Sequence, residues 1–346
     1  MSLFSIQIHP AFQGDTISIL FNMQTNCILI DTGTKRSYLK GSLKEQFKKI
    51  KNVDLLILTH TDEDHIGGIL KYYEDYDRKT KLFKNVWFNT GDLISSKLKL
   101  ATKDEFQIPV NDSNNLNMSL KQGLTLESCL LYDDILPKQL ITSGKTHEMF
   151  LANLQVLSPE IEDLIEFYKK WEVEKEYQLE VAYKKDYNLT IFSLLNNNYT
   201  ENGTLANKSS ISFIFNYKDK KILLMGDAFP SVIEINIRKL GYNESNKLKL
   251  EVVKVSHHGS KNGMSPTLLN IIDCDKFVIS TNGSNGLPSK ECLARIVAHK
   301  KEKVFLYFNY ENENTKSIFL NFEYDEYNFE VVYLNDNNNY TIEIGE

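Results

Sequence analysis

A chain of 346 residues with 42% hydrophobic and 25% charged residues has the make-up of a globular protein with a sizeable core. No apolar run approaches the roughly 18 residues needed to span a bilayer. The opening Met1-Ser2-Leu3-Phe4-Ser5 lacks a basic region followed by an apolar stretch, so a cytoplasmic location is expected. The net charge of −6, from 40 basic and 46 acidic residues, disfavours general adhesion to nucleic acid or anionic membrane. Cys27, Cys129, Cys274 and Cys292 are scattered without a CxxC pair and read as reduced, partly buried thiols.

The chain opens on short β-prone runs, Ile6–Ile8, Thr16–Phe21 and Cys27–Ile30, separated by turn-forming residues. A lysine-rich segment follows. Its Leu39, Leu43, Phe47 and Ile50 recur at helical spacing, which predicts a helix whose lysines form a solvated face. Val53–Leu58 (VDLLIL) is an apolar run of strand length broken only by Asp54, as in a strand covered on both faces. A helix is expected from Ile66 to Tyr73 and a short strand at Val86–Phe88. Residues from about 92 to 200 are irregular, except that Gln155–Leu157 reads as a strand leading to a helix with Ser158 as its N-cap and Pro159 in its first turn. Ile211–Asn216 and Ile222–Met225 read as a hairpin, Val252–Val255 and Phe277–Ser280 as strands, and Pro288–His299 as a helix. The tail from Val304 alternates β-prone and polar residues and is expected to add edge strands. Strands with intervening helices and no evident linker predict one α/β (α+β) layered domain over residues 1–346, with an insertion at about 92–200 and a β extension at about 303–346.

The strongest chemical signal is His60-Thr61-Asp62-Glu63-Asp64-His65-Ile66-Gly67-Gly68, directly after the apolar run. On a loop leaving a strand, alternate residues face one side. His60, Asp62 and Asp64 can then converge while His65 reaches a neighbouring ion, and Gly67-Gly68 lets the backbone pass close by. A purely structural account, with Asp64 capping the helix, explains one of these four residues. A carboxylate ends a second apolar strand in Met225-Gly226-Asp227-Ala228, weak alone because Gly-Asp is a common turn. A third strand runs into Ser256-His257-His258-Gly259-Ser260-Lys261. His9, His147 and His299 lie outside these loops and read as structural or surface residues.

In order and spacing, these blocks resemble the metallo-β-lactamase superfamily, closest to its ComEC-type branch without the membrane channel. The resemblance also takes in Ala11-Phe12-Gln13-Gly14-Asp15, Ile28-Leu29-Ile30-Asp31-Thr32-Gly33, Asn207-Lys208-Ser209-Ser210 and Ile279-Ser280-Thr281-Asn282-Gly283. It implies a four-layer αββα sandwich with two divalent ions at one edge, Zn²⁺ by family habit and Mn²⁺ as the alternative for a carboxylate-rich set. Asp62 stands where the superfamily usually has a second histidine, a substitution usual in that branch. The resemblance implies one ion on His60, Asp62 and Asp227, with Asn207 as a further metal or substrate contact. It implies the other on Asp64, His65, Asp227 and a histidine of the 257–258 pair. His257, nearer the strand, is the expected ligand, which leaves His258 for substrate or proton transfer. The stretch Gly286-Leu287-Pro288 departs from the His-Pro pair often found there, so any proton-donor role of that histidine is lost.

The expected activity is hydrolysis of a phosphodiester, in a nucleic acid or a nucleotide, by a metal-bridged hydroxide that Asp64 orients. His258, Ser260 and Lys261 are candidates for contacting the scissile group. Three carboxylates do not offset two divalent ions, which favours an anionic substrate. Two alternatives are a lactone, thioester or amide hydrolase on the same fold, and a catalytically silent metal-binding module working with protein partners.

Overall fold

Alternation along the strands decides which side of each sheet a residue covers, because successive side chains point to opposite faces. In the computed structural model, β1 (Ser2–Ile8), β2 (Ile17–Phe21), β3 (Asn26–Ile30), β4 (Leu55–Ile57) and β5 (Val86–Trp87) form most of the first sheet. The second is built mainly from β6 (Thr146–Met149), β7 (Ala152–Ser158), β8 (Ser212–Tyr217) and β9 (Lys220–Leu224). A small pair, β10 (Leu248–Lys249) and β12 (Ile272–Asp273), immediately precedes β11 (Val252–Lys254) and β13 (Lys276–Ile279) in turn. β14 (Val304–Phe308), β15 (Phe329–Tyr333) and β16 (Thr341–Gly345) complete the set. All residues are described except 1, 76, 77, 79, 80, 102–107, 109, 111–124, 171–184, 336, 338 and 346.

The first sheet has the order β16-β1-β2-β3-β4-β5 and the second β15-β14-β13-β11-β9-β8-β7-β6. Residues of both sheets share one apolar layer: Phe4, Ile19, Phe21 and Ile57 from the first pack with Phe213, Phe215, Ile222 and Leu224 from the second. The alternate residues face outward. Leu29, Leu56 and Leu58 meet Tyr38, Phe47, Ile66 and Tyr72 of the helical layer over the first sheet. Leu223, Val253 and Leu306 meet Ile233, Leu268 and Leu293 of the layer over the second. This is a four-layer αββα sandwich, the metallo-β-lactamase fold. Leu55–Leu58 is apolar throughout because its residues alternate between two buried layers, whereas Asp54 before it is buried and accepts from the Cys27 N–H.

β3, β4 and β5 run parallel, as do β9, β11, β13, β14 and β15. Parallel neighbours require crossover connections. The helices Pro230–Lys239, Pro266–Ile271 and Lys290–Ala298 lie in three of them and supply the layer over the second sheet. The carboxyl ends of β3, β4, β9, β11 and β13 therefore gather along one edge, the usual place for a ligand site in such sheets.

Several local expectations are corrected. The lysine-rich segment makes two short helices, α1 (Lys35–Leu39) and α2 (Leu43–Lys49), and Leu39 is 64% exposed rather than part of an apolar stripe. Its cations include Lys44, paired with Asp75 at 2.6 Å, and Lys48, paired with Glu45 at 2.9 Å. Helix Ile161–Lys169 takes Glu160 as N-cap, in a reciprocal capping box with Asp163, while Ser158 still belongs to β7. The irregular stretch 92–200 supplies β6 and β7 to the second sheet, so it is not wholly an insertion; residues 102–107, 109, 111–124 and 171–184 of it lie outside the described residues. Of the tail strands, β15 and β16 are edges of opposite sheets, whereas β14 lies inside the second.

Candidate metal centre

His60 follows β4 and is 2% exposed. The chain then enters α3 (Glu63–Glu74) with Asp62 as its N-cap, so Asp64 and His65 sit in the first helical turn. The motif expected on a loop thus straddles a helix start. Asp64 and His65 still face the strand ends because α3 lies hard against the β3–α1 connection. A Cβ on Gly67 would come within 2.4 Å of the Lys35 amide nitrogen, and one on Gly68 within 2.1 Å of the Thr32 carbonyl oxygen. Glycine there is required for helix docking, not for passage beside the site. Gly14 plays a similar part from the β1–β2 loop, where a Cβ would overlap the Asp64 carbonyl at 1.8 Å.

Asp227 follows the end of β9, and its N–H donates to Ser210 Oγ at 3.1 Å. After β11, His257 (φ 47°) and His258 (φ 52°) are successive left-handed residues. Non-glycine residues rarely adopt that region, and such strain persists where surrounding contacts enforce it. The two rings go to different places. His258 is 1% exposed, whereas the His257 side chain keeps 26% of its surface in solvent.

Each of the four histidines is anchored through Nδ1. His60 Nδ1 lies 3.0 Å from Thr59 Oγ1, His65 Nδ1 2.7 Å from Asp31 Oδ2, His257 Nδ1 3.1 Å from Asn207 Nδ2, and His258 Nδ1 3.0 Å from the Ser280 carbonyl. Nε2 is thereby directed toward the carboxylates. His65 Nε2 is 3.4 Å from Asp227 Oδ1 and 3.8 Å from Asp64 Oδ1, and His258 Nε2 is 3.4 Å from Asp64 Oδ2. The Nε2 atoms of His60, His65 and His258 and Asp227 Oδ1 are buried without a hydrogen-bond partner. Leaving one such atom unmatched costs on the order of 1–3 kcal/mol, so four in one place call for a common partner. Nδ1 anchored and Nε2 free is the arrangement metal-ligating histidines adopt. The donor set fits a divalent cation.

Ligand-capable atoms converge within 4.8 Å of one another in His60, His65 and Asp227, and again in Asp64, His65 and His258. The structure therefore brings His258, not His257, into the second group. Nearness to the strand end did not anticipate this grouping, because the left-handed pair turns the second ring inward and leaves the first at the rim, 3.8 Å from Asp227 Oδ2. Asp62 lies beside His60, Oδ2 to Nε2 at 3.4 Å, with a side chain 22% exposed. Asn207 stands behind His257, its Nδ2 3.1 Å from Nδ1. Ser260 Oγ is buried without a partner beside the site. Lys261 is tied to Glu291 at 3.3 Å. Of the outlying histidines, His9 bonds Ser18 Oγ at 2.8 Å, His147 rests on Trp87, and His299 caps a helix.

Three charged residues beside the cluster receive no role from the sequence, although Asp15 and Asp31 stand in the quoted blocks. Asp31 accepts from the Thr59 N–H and hydroxyl, both at 2.8 Å, besides holding His65. Asp15 faces His258 Nδ1 at 3.4 Å, and Lys254 forms an ion pair with Asp15. The signal for Lys254 was a charged residue in the otherwise apolar run Val252–Val255.

Electrostatics show what the cluster prefers. Burial alone would lower the histidines, yet Asp227, Asp31 and Asp64 hold His65 well above its ordinary range. Burial likewise opposes charging of His258, but Asp15 and Asp227 lift it to about 10. Asp64 would rise on burial, and His65 and His258 instead bring it to about 2. Asp227 is depressed well below the carboxylate range by His65, His258 and His257, against its desolvation. His257 is lowered, by burial and by repulsion from His258, against the pull of Asp227. The field of the pocket favours cations, and protons and metal ions compete for the same nitrogen atoms.

Residues 14–117 match the model of the Metallo-beta-lactamase superfamily. The relatives include hydroxyacylglutathione hydrolases: that of Serratia proteamaculans is 35% identical over 77 residues, 22% of this chain and 28% of the relative. That of Photobacterium profundum is 32% identical over 74 residues, 21% and 28% of the two chains. The chain thus spans under a third of the length of the curated relatives it matches. Among solved structures, a possible metal-dependent hydrolase from Veillonella parvula DSM 2008 is 12% identical, covering 99% of this chain and 100% of that one at a TM-score of 0.44. Zn(2+)-bound PqqB from Methylobacterium extorquens is 9% identical, covering 95% and 97% at a TM-score of 0.42. Among the described residues, no helix is long and apolar enough to cross a membrane.

Proposed function

We propose that this protein is a metal-dependent hydrolase of the ComEC-type branch, acting on a phosphodiester. The observation that carries the hydrolase reading is that unpartnered buried atoms, His60 Nε2, His65 Nε2, His258 Nε2 and Asp227 Oδ1, belong to residues of two ligand groups sharing His65. When bound there, two divalent ions would supply an activated water and stabilise charge on the attacking and leaving oxygens. The chain's own groups do the rest. Asp64, depressed and ionised, orients the nucleophile through its carboxylate, and Asp227 stands between the two ligand groups. His257, at the rim with Nε2 directed inward and a lowered proton affinity, takes the substrate-facing role first given to His258. Ser260 Oγ beside it is a spare hydrogen-bonding group for the scissile function.

The anionic substrate rests on the resemblance more than on charge. Asp15 and Asp31 add two carboxylates to the count made from the motifs and Lys254 adds one cation, which removes the positive surplus. The similarity to hydroxyacylglutathione hydrolases favours a second reading, hydrolysis of a thioester on the same centre. The test is the metal-loaded protein assayed on bis-p-nitrophenyl phosphate, single-stranded DNA, RNA, a lactone and an S-acyl glutathione. Turnover of a phosphodiester alone supports the first reading and turnover of the thioester alone the second. No turnover on any of the five with metal bound overturns both.

A further inference from the structure

Lys254 sits near the end of β11 with 1% of its side chain exposed, on the strand face that Val252 uses to pack between the sheets. A buried ammonium is tolerated only when paired and hydrogen-bonded. Its partners come from two other segments: the Asp15 carboxylate from the β1–β2 loop, and the Gly226 carbonyl after β9, to which Nζ donates at 3.0 Å. Nζ also lies 3.8 Å from Asp227 Oδ1, one of the atoms facing the candidate metal positions.

A third group of ligand-capable atoms, from Asp15, Asp31 and His65, converges within 4.8 Å. Unlike the two groups on the Nε2 side, most of its atoms already have partners, although Asp15 Oδ1 makes no hydrogen bond and faces His258 Nδ1 at 3.4 Å. Asp31 is engaged by His65 Nδ1 and by Thr59, and Asp15 by Lys254. We propose that the Lys254 ammonium is the resident cation of this acidic group behind His65, a positioning residue that confines divalent ions to the Nε2 side. The inference rests on the reading of the Nε2 atoms as metal ligands. A fixed cation there has two effects. It keeps Asp15 from competing as a ligand, so that the carboxylate stays turned to His258, and it ties the Gly226-Asp227 backbone to β11.

The experiment counts metal instead of turnover. Wild type, Lys254→Met and the double variant Asp15→Asn/Lys254→Met are stripped with chelator, reloaded with Mn²⁺, desalted and analysed for bound metal, with melting temperatures recorded in both states. Wild type is expected to hold about two equivalents, Lys254→Met about three, and the double variant about two again, since it removes the cation together with the charge it neutralises. The stripped Lys254→Met protein is expected to melt below stripped wild type, and Mn²⁺ should raise its melting point more than that of wild type. If Lys254→Met is unfolded when stripped, folding on addition of Mn²⁺ supports the proposal. A Lys254→Met protein that folds and holds two equivalents or fewer overturns it. So does failure of both variants to fold even with Mn²⁺, since Lys254 would then be needed for packing and not for charge. Wild type that takes up no metal sinks the metal-centre reading itself, a result distinct from an unchanged count between wild type and variant.

Discussion

The imidazole of His65 is held by the carboxylate of Asp31, Nδ1 to Oδ2 at 2.7 Å, with both side chains fully buried. Asp31 is itself left-handed (φ 53°), which an aspartate tolerates better than most residues. Its second oxygen accepts the Thr59 N–H, so the carboxylate ties the end of β3 to the residue that precedes His60. Such a carboxylate behind a ligating histidine fixes the tautomer, and its loss typically lowers metal affinity about 10–100-fold. Asp31→Asn keeps the shape and an acceptor for Thr59 but removes the charge. It is expected to weaken Zn²⁺ binding about 10-fold or more, read by competition with a chromogenic chelator, with the circular dichroism spectrum unchanged. Wild-type affinity in that variant would show that His65 needs no carboxylate behind it.

Glu127 gives a pH prediction away from the site. It lies in the first turn of helix Leu126–Tyr132, 6% exposed, and burial lifts its carboxyl to about 7 against the help of the Ile108 N–H. A folded-state value above the unfolded one means that the native protein binds the proton more tightly. The stabilisation is then complete below the unfolded value near 4.5 and is lost as pH rises through about 7. At about 1.4 kcal/mol per unit, the loss approaches roughly 2–3 kcal/mol. Glu127→Gln should therefore gain stability relative to wild type between pH 5 and pH 8 by about that amount, measured by urea unfolding of metal-free protein at both pH values. Comparing the two proteins cancels the histidine titrations they share. A difference between them that does not change with pH would mean that Glu127 ionises normally.

The apolar periodicity carried the strands and their α/β layering, while the four-layer sandwich came from the resemblance. Val53–Leu58 read as a doubly covered strand because Leu55 and Ile57 enter one buried layer and Leu56 and Leu58 the other. The three motifs were legible because each ends such a strand. What was not legible depended on chain direction and on long-range pairs. Nothing local says that the backbone turns left-handed at His257 and His258, so the deeper ring could not be chosen from order along the chain. The Lys254–Asp15 pair joins residues 239 positions apart in the sequence, and only the folded sheets bring them together. In the lysine-rich segment, helical spacing was right over Leu43 and Phe47 but failed at Leu39. There the backbone breaks at Gly41, where a Cβ would meet the Ser37 carbonyl oxygen at 2.4 Å.

Asp227 is the residue whose loss most cleanly separates an enzyme from an inert relative. It belongs to the group with His60 and His65, and its carboxylate also lies 3.8 Å from His258 Nε2. Asp227→Ala should reduce bound metal by at least one equivalent and abolish hydrolysis, while near-native circular dichroism shows the sandwich intact. Some melting temperature is lost, because bound metal favours the folded state. His147→Ala is the control, since this ring packs on Trp87 at 4.7 Å and enters none of the three groups. Its cost should be confined to stability, about 1 kcal/mol for one aromatic contact. Full metal and full activity in Asp227→Ala would return Gly226-Asp227 to an ordinary turn.

The two adjacent histidines should behave differently although they share a loop. His258 Nε2 is buried, has no hydrogen-bond partner and groups with Asp64 and His65, while Ser280 fixes its Nδ1. His257 stands at the rim with Asn207 behind it. His258→Ala is therefore expected to lower metal affinity at least about 10-fold, as loss of a ligand does, with activity falling in proportion to bound metal. His257→Ala should keep close to wild-type metal content, and its defect should appear in turnover of fully loaded protein. Asn207→Ala should repeat the His257→Ala defect in weaker form, since it frees that ring without removing it. Metal content by elemental analysis and rates at saturating Mn²⁺ distinguish the two classes. If His257→Ala proves to be the variant that loses metal while His258→Ala stays loaded, the inward ring is a spectator and the assignment of the pair reverses.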